Sequence, residues 1–229
     1  GIRNVISKNS FNDQRIKSLQ VTNQVGILID GNSIDYFGTS YAIIVDANYS
    51  IITDNIIKCQ NTDRAQAFHI HGDGLDESGT YPVKGHLANN FIYLNSNQNT
   101  GITGYEFNDY GIYHNTVYIS ENNTYGHCLI LDNTCSGIDI FNNILANDSD
   151  YGAAYLFTNT VFTSDYNSIY CSGSLVTYID SNGNETEYDN LAAWQSFSGG
   201  DANSISIKPN FETEGNFRIL NPEMDNTGT

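Results

Sequence analysis

The stretch "SIITDNIIKC", residues 50–59, sets one asparagine, Asn55, between two short runs rich in β-branched residues. The same arrangement recurs along the chain. It appears as "KNSF" (Asn9), "GNSI" (Asn32), "DNII" (Asn55), "NNFI" (Asn90), "HNTV" (Asn115), "NNIL" (Asn143) and "YNSI" (Asn167), at spacings of 23, 23, 35, 25, 28 and 24 residues. Two positions after each asparagine stands Phe11, Ile34, Ile57, Ile92, Val117, Leu145 or Ile169. Three positions before it stands Ile6, Ile29, Ile52, Leu87, Ile112 or Ile140, and only Ser164 breaks that column.

Segments such as "YAIIV", "FIYL", "TVYI" and "CLILD" have strand length, are β-branched or aromatic, and are bounded by Asn, Asp and Gly. Repeated every 23 to 28 residues, they predict one coil per repeat, each stacked on the last. The expected fold is all-β: a right-handed, single-stranded parallel β-helix of about seven coils. The coils span residues 1–175, and a C-terminal cap covers 176–229. The asparagines are read as a structural ladder. Each is expected to adopt the left-handed conformation of a corner and to bond its amide to the equivalents above and below. In the same register Cys59 and Cys171 point inward, four coils apart and too distant to bridge. Cys128 and Cys135 either pair across a corner or remain buried free thiols.

Composition narrows the function. Nine Lys and Arg face 26 Asp and Glu, for a net charge of −17. That balance excludes nucleic acid, whose phosphates need clustered cations, and disfavours an anionic membrane surface. No apolar run reaches the roughly 20 residues of a membrane span. The chain has 31 asparagines, many of them in polar turns, which suits a secreted or cell-surface protein. The opening "GIRNVISKNSF" does not read as an export signal, so the signal and flanking domains are expected elsewhere in a longer chain.

After Asn167 the repeat fades. "DNLAAWQSF" predicts a short helix over 191–197, capped by Asp189 or Asn190, with Trp194 and Phe197 on one face and a final strand beyond. Laid across the last coil, it would close the open apolar end. The same residues carry a resemblance. "NLAAWQSFSGGDANSISIKPNF" followed by "NFRILNPEMDNTGT" resembles the tail of parallel β-helix repeat domains in large surface or secreted proteins of Bacteroidetes-type bacteria. In those domains Leu-Ala-x-Trp-Gln, Asp-Ala-Asn-Ser and Pro-x-Phe segments follow in this order, usually with an aspartate where Lys208 stands here. The resemblance implies an exported, modular, polysaccharide-associated or adhesive protein, and no catalytic residue. Such domains are similar in fold to pectate lyases, and fold alone carries no activity.

The longest spacing, 35 residues, holds "AFHIHGDGLDESGTY" (67–81) and an insertion over 72–85. Insertions on a solenoid coil commonly carry function. Strand alternation places Ile43 with Val45, Phe68 with Ile70, Tyr105 with Phe107, and Leu129 with Leu131 inward. It places Ile44, His69, Glu106 and Ile130 in one outward column, and Asp46, His71, Asn108, Asp132 and Thr158 in the next. The loop carrying Asp73, Asp76, Glu77 and Lys84 is expected to overhang these columns. Such a face suits sugars, with Tyr81, Tyr105 or Tyr110 as platforms. Asp73, Asp76 and Glu77 are the candidate calcium ligands, through which a polyuronate could bridge. No cofactor is required. Zinc is a weaker candidate, since His69 and His71 supply two ligands and a third, from Asp73, rests on the loop.

The favoured reading is a non-catalytic module of an exported protein that binds polysaccharide or cell-surface glycan, or serves as an adhesive or spacer solenoid. The alternative is a polysaccharide lyase or glycoside hydrolase acting on an acidic glycan. A lyase base and its neutralising cation would come from His69, His71, Lys84, Lys58, Arg64 or His86, which are scattered. The polygalacturonase-type pattern is not met: "NTD" and "RIK" occur in reversed order, and "GHL" and "GHC" lack the second glycine.

Overall fold

The computed structural model describes residues 4–14, 17–37, 41–72, 84–120, 124–213 and 216–224. The chain winds as a parallel β-helix of about six turns, bounded by the seven ladder corners. Each turn contributes to three sheets. Sheet I follows the ladder asparagine (33–36, 56–59, 91–94, 116–119, 144–147, 168–171), sheet II comes next, and sheet III leads to the following asparagine. Sheet II holds 17–22, 41–46, 64–71, 98–105, Tyr125–Leu131, Gly152–Thr158 and Ser174–Ile179. Equivalent residues of successive coils pair in parallel, as in Ile34↔Ile57, Ile57↔Ile92, Ile92↔Val117 and Val117↔Leu145. The inward columns form one apolar core in which Ile29, Ile52, Leu87, Ile112 and Ile140 have no exposed surface.

The corner asparagines are bound as a ladder. The Oδ1 of Asn90 accepts from both the backbone N–H (3.1 Å) and the Nδ2 (2.9 Å) of Asn55. Asn55 Nδ2 also donates to Ile29 O (3.1 Å), so the asparagine column and the isoleucine column are joined by hydrogen bonds. The same three bonds recur at Asn32, Asn115 and Asn143. Asn32 to Asn167 are at most 1 % exposed, and a buried amide in that position requires these partners.

One expectation about the corner is corrected. The ladder asparagines do not take the left-handed conformation. The residue before each of them does: Lys8, Gly31, Asp54, Asn89, His114, Asn142 and Tyr166 have φ between 54° and 63°. The asparagine side chain must enter the stack to be bonded, so its neighbour makes the bend. The bonds of the ladder on one side and the backbone bonds of Lys8 and His114 to the next coil on the other hold these residues in that strained conformation.

The core pairs Ile43 and Val45, Phe68 and Ile70, and Leu129 and Leu131 are fully buried, as expected. Tyr105 is not inward. It is 36 % exposed, and Ile102 and Gly104 take the inward places opposite Phe68 and Ile70. Phe107, from the corner beyond, fills the space that Gly104 leaves: a Cβ there would lie 2.8 Å from the Phe107 ring. Cys59 lies in the inward column of Leu94, Ile119 and Cys171, and all four cysteines are free thiols.

The cap is a helix, Leu191–Ser198, started by Asn190, whose side chain accepts from Ala193 N, and stopped by Gly199 in the left-handed region. Trp194 is buried at the end of the core, 5.9 Å from Phe157 and 6.1 Å from Phe162. Phe197 is half exposed and stacks on Tyr188 instead. Trp194 Nε1 donates to Asp201 Oδ2 (2.9 Å), and Asp201 Oδ1 accepts from Ser164 Oγ (2.8 Å), Ser204 Oγ (2.7 Å) and Asn167 Nδ2 (3.2 Å). The break in the isoleucine column at Ser164 is thus the place where the cap closes the ladder. Ser204 Oγ replaces the missing next asparagine by accepting from Asn167 N (2.9 Å). Lys208 pairs with the buried carboxylate of Asp148 at 2.8 Å. The tail hairpin, Phe211–Thr213 with Asn216–Ile219, brings Phe211 within 5.0 Å of Tyr118 on sheet I.

Asn115→Ala leaves buried donors on Asn90 and the carbonyl of Leu87 without partners, and is expected to cost about 3 to 5 kcal/mol in urea unfolding. Asn9→Ala, at the exposed first corner, should cost less than about 1 kcal/mol by the same measurement.

Candidate functional site

The outward face of sheet II is set by coil register. One column runs Tyr41, Gln66, Thr100, His127; the next runs Ile44, His69, Thr103, Ile130, Leu156; a third carries Asp46, His71 and Tyr105. Arg64, Gln98 and Tyr125 align at the entry edge of the same strands. These columns, with Ile44, Asp46 and His71 left outside the lining, shape a groove of about 230 Å³ that crosses successive coils.

Its walls are aromatic. His69 lies between Tyr41 (ring centroids 4.9 Å) and Tyr105 (5.1 Å), and Tyr125 meets His127 edge-on at 4.8 Å. Its floor is polar and buried. Gln66, Asn99, Thr103 and His127 are no more than 8 % exposed, and Thr100 is 9 % exposed. Among the described residues no hydrogen bond is made by the Gln66 amide, by the hydroxyls of Thr100 and Thr103, or by the His127 ring nitrogens. Asn99 Nδ2 donates to Ser96 O (2.8 Å), but its buried Oδ1 has no partner among the described residues. Buried polar groups are almost always bonded, so the orphan Oδ1 of Asn99 calls for ordered water or a polar ligand, while the other polar groups of the floor reach the solvent of the groove and are open to one.

Burial holds both imidazoles neutral. It pushes His127 down to about 4, and burial followed by the nearby His71 lowers His69 below the usual histidine range. At the rim His71 bridges two carboxylates, Nδ1 to Asp46 Oδ1 (3.3 Å) and Nε2 to Glu106 Oε2 (3.1 Å).

Several sequence expectations are corrected here. Glu106 does not share the column of His69; Thr103 does, because the strand of "GITGY" pairs before Glu106, which makes a left-handed corner (φ 48°). Asn108 lies past that corner, bonded to Ser136 Oγ (2.7 Å), and Asp132 lies past Leu131, accepting from Thr134 N (3.0 Å). Tyr110 is buried against Ser50 and is no platform. Lys84 lies away from the groove, by sheet III, paired with Asp139 (3.2 Å) and Asp109 (4.0 Å). His86 is on sheet III and Lys58 on sheet I. The lyase candidates therefore divide among three sheets. Asp73, Asp76, Glu77 and Tyr81 lie outside the described residues. Among the described residues no group of three or more His, Cys, Asp and Glu is placed to hold a metal ion.

Sequence reasoning missed Gln66, Asn99, Thr100 and His127. Their signal was present: polar residues standing where sheet II strands should be half-buried. A larger hollow of about 560 Å³ lies against the cap helix, but its buried Ser164 and Asp201 are bonded to each other. No family model, curated protein or solved structure compared with this chain matches it.

His127 is protonated less readily folded than unfolded, so it withdraws stability as pH falls from about 6.5 towards 4. The loss through His127 alone is about 2 kcal/mol near pH 5. Thermal melts across this range should show His127→Gln losing less than the parent on acidification.

Proposed function

We propose that the chain is a non-catalytic, glycan-binding module of an exported cell-surface or secreted protein, holding polysaccharide in the groove of sheet II. The observation that carries this reading is a floor of little-exposed amides, hydroxyls and imidazole between tyrosine walls, with the buried Oδ1 of Asn99 unpaired among the described residues. Sugars match such a floor: their hydroxyls donate and accept, and their C–H faces pack on aromatic rings. A coil rise of about 4.8 Å is close to the length of one sugar residue in an extended chain, so successive coils can meet successive sugars. The tail's resemblance to β-helix domains of bacterial surface proteins supports the same reading. The dispersal of Lys58, Lys84 and His86 away from the groove weighs against the lyase alternative.

Affinity electrophoresis of the whole chain, in gels cast with laminarin, xylan, alginate or pectate, tests the proposal. Retardation in at least one gel is expected, reduced at least tenfold in apparent affinity by Tyr105→Ala and by Gln66→Ala. Clearing of the polysaccharide around the band would show an enzyme. Unchanged migration in every gel would leave a spacer.

A further inference from the structure

We propose that the groove is built for an uncharged polysaccharide and turns polyuronates and sulfated glycans away. This rests on the groove being the glycan site. None of the described residues lining it is a carboxylate, although the chain has 26 Asp and Glu, and the only lysine or arginine among them is Arg64. The carboxylates stand around it instead. Asp46 and Glu106 flank His71 at one rim, 3.3 and 3.1 Å from its ring nitrogens. Burial first, and then the negative charge of Asp132 near Tyr105 and of Glu185 near Tyr125, pushes those phenols above the usual tyrosine range.

Four carboxylates therefore surround a site holding one guanidinium, in a chain of net charge −17. Burial keeps His69 and His127 neutral, so they add no compensating charge. A polymer lying along the coils would bring a like charge past this ring with every acidic sugar. Repulsion at such distances is only partly screened, since the Debye length at physiological salt is about 8 Å. A neutral chain meets no such opposition and still satisfies the floor. Discrimination of this kind needs a repulsive element as well as an attractive one, and the carboxylate ring supplies it.

The test uses the whole chain and polymers that differ only in charge: laminarin against carboxymethyl-laminarin, hydroxyethyl- against carboxymethyl-cellulose, and methyl-esterified against de-esterified homogalacturonan. Each is cast in native gels at low salt, with calcium and with EDTA. The expected result is retardation by the neutral member of at least one pair, with the charged member at least tenfold weaker in both conditions. Charged members binding as well or better, with or without calcium, would overturn the inference and leave glycan binding standing. Binding of neither member in any pair would overturn both. The variant Asp46→Asn/Glu106→Gln/Asp132→Asn provides a second arm. A narrowed gap between charged and neutral members supports the carboxylate ring as the cause, and an unchanged gap removes it.

Discussion

A side-chain amide buried at the same corner of every coil has two donors and one acceptor to satisfy, and the rest of the solenoid is arranged around that need. The Oδ1 of one asparagine accepts from the backbone N–H and one Nδ2 hydrogen of its predecessor, and the other Nδ2 hydrogen goes to a carbonyl of the isoleucine column. Losing any one of these leaves a buried polar group unpaired, which costs more than the bond contributed. The coils are therefore held in register at this corner, and the apolar columns follow it. The strain of six left-handed residues, among them Lys8, His114 and Tyr166, is sustained at the same corners, where Gly31 takes the seventh place without strain.

Register at the corner determines what happens on the far side of each coil. Because Phe68 pairs with Ile102 and Ile102 with Leu129, the residues two positions before them, Gln66, Thr100 and His127, come to one outward column, although they are 34 and 27 positions apart in the chain. No local motif could have joined them. The groove is a product of stacking: tyrosines from several coils make its walls, and polar residues that would be solvated on an isolated strand become its buried floor. The bridge from His71 to Asp46 and Glu106 ties neighbouring coils together at the rim.

The fold was legible because the ladder leaves a periodic trace. Asn32, Asn55 and Asn90 and their isoleucine partners recur at coil spacing, and the helix around Trp194 is marked by a cap residue and a glycine. The site was less legible, for a physical reason. The alternation of "GITGYEFND" admits two registers, and the one adopted sets Gly104 inward against Phe107 and Leu131, contacts that the local sequence does not display. The error displaced Glu106 and Tyr105 together, since a one-residue slip exchanges the two faces of a strand. Asparagine misled in a second way. It is a common left-handed residue and a common ladder residue, and here the two roles fall on adjacent positions.

The ladder also has a direction. From asparagine to asparagine every bond is donated towards the C-terminal end, where Asn167 is held by Ser164, Asp201 and Ser204 under the Trp194 ring. The column thus works as a chain of hooks whose last link is fastened under the tryptophan: a pull along the axis passes from coil to coil through the asparagines and ends at Asp201.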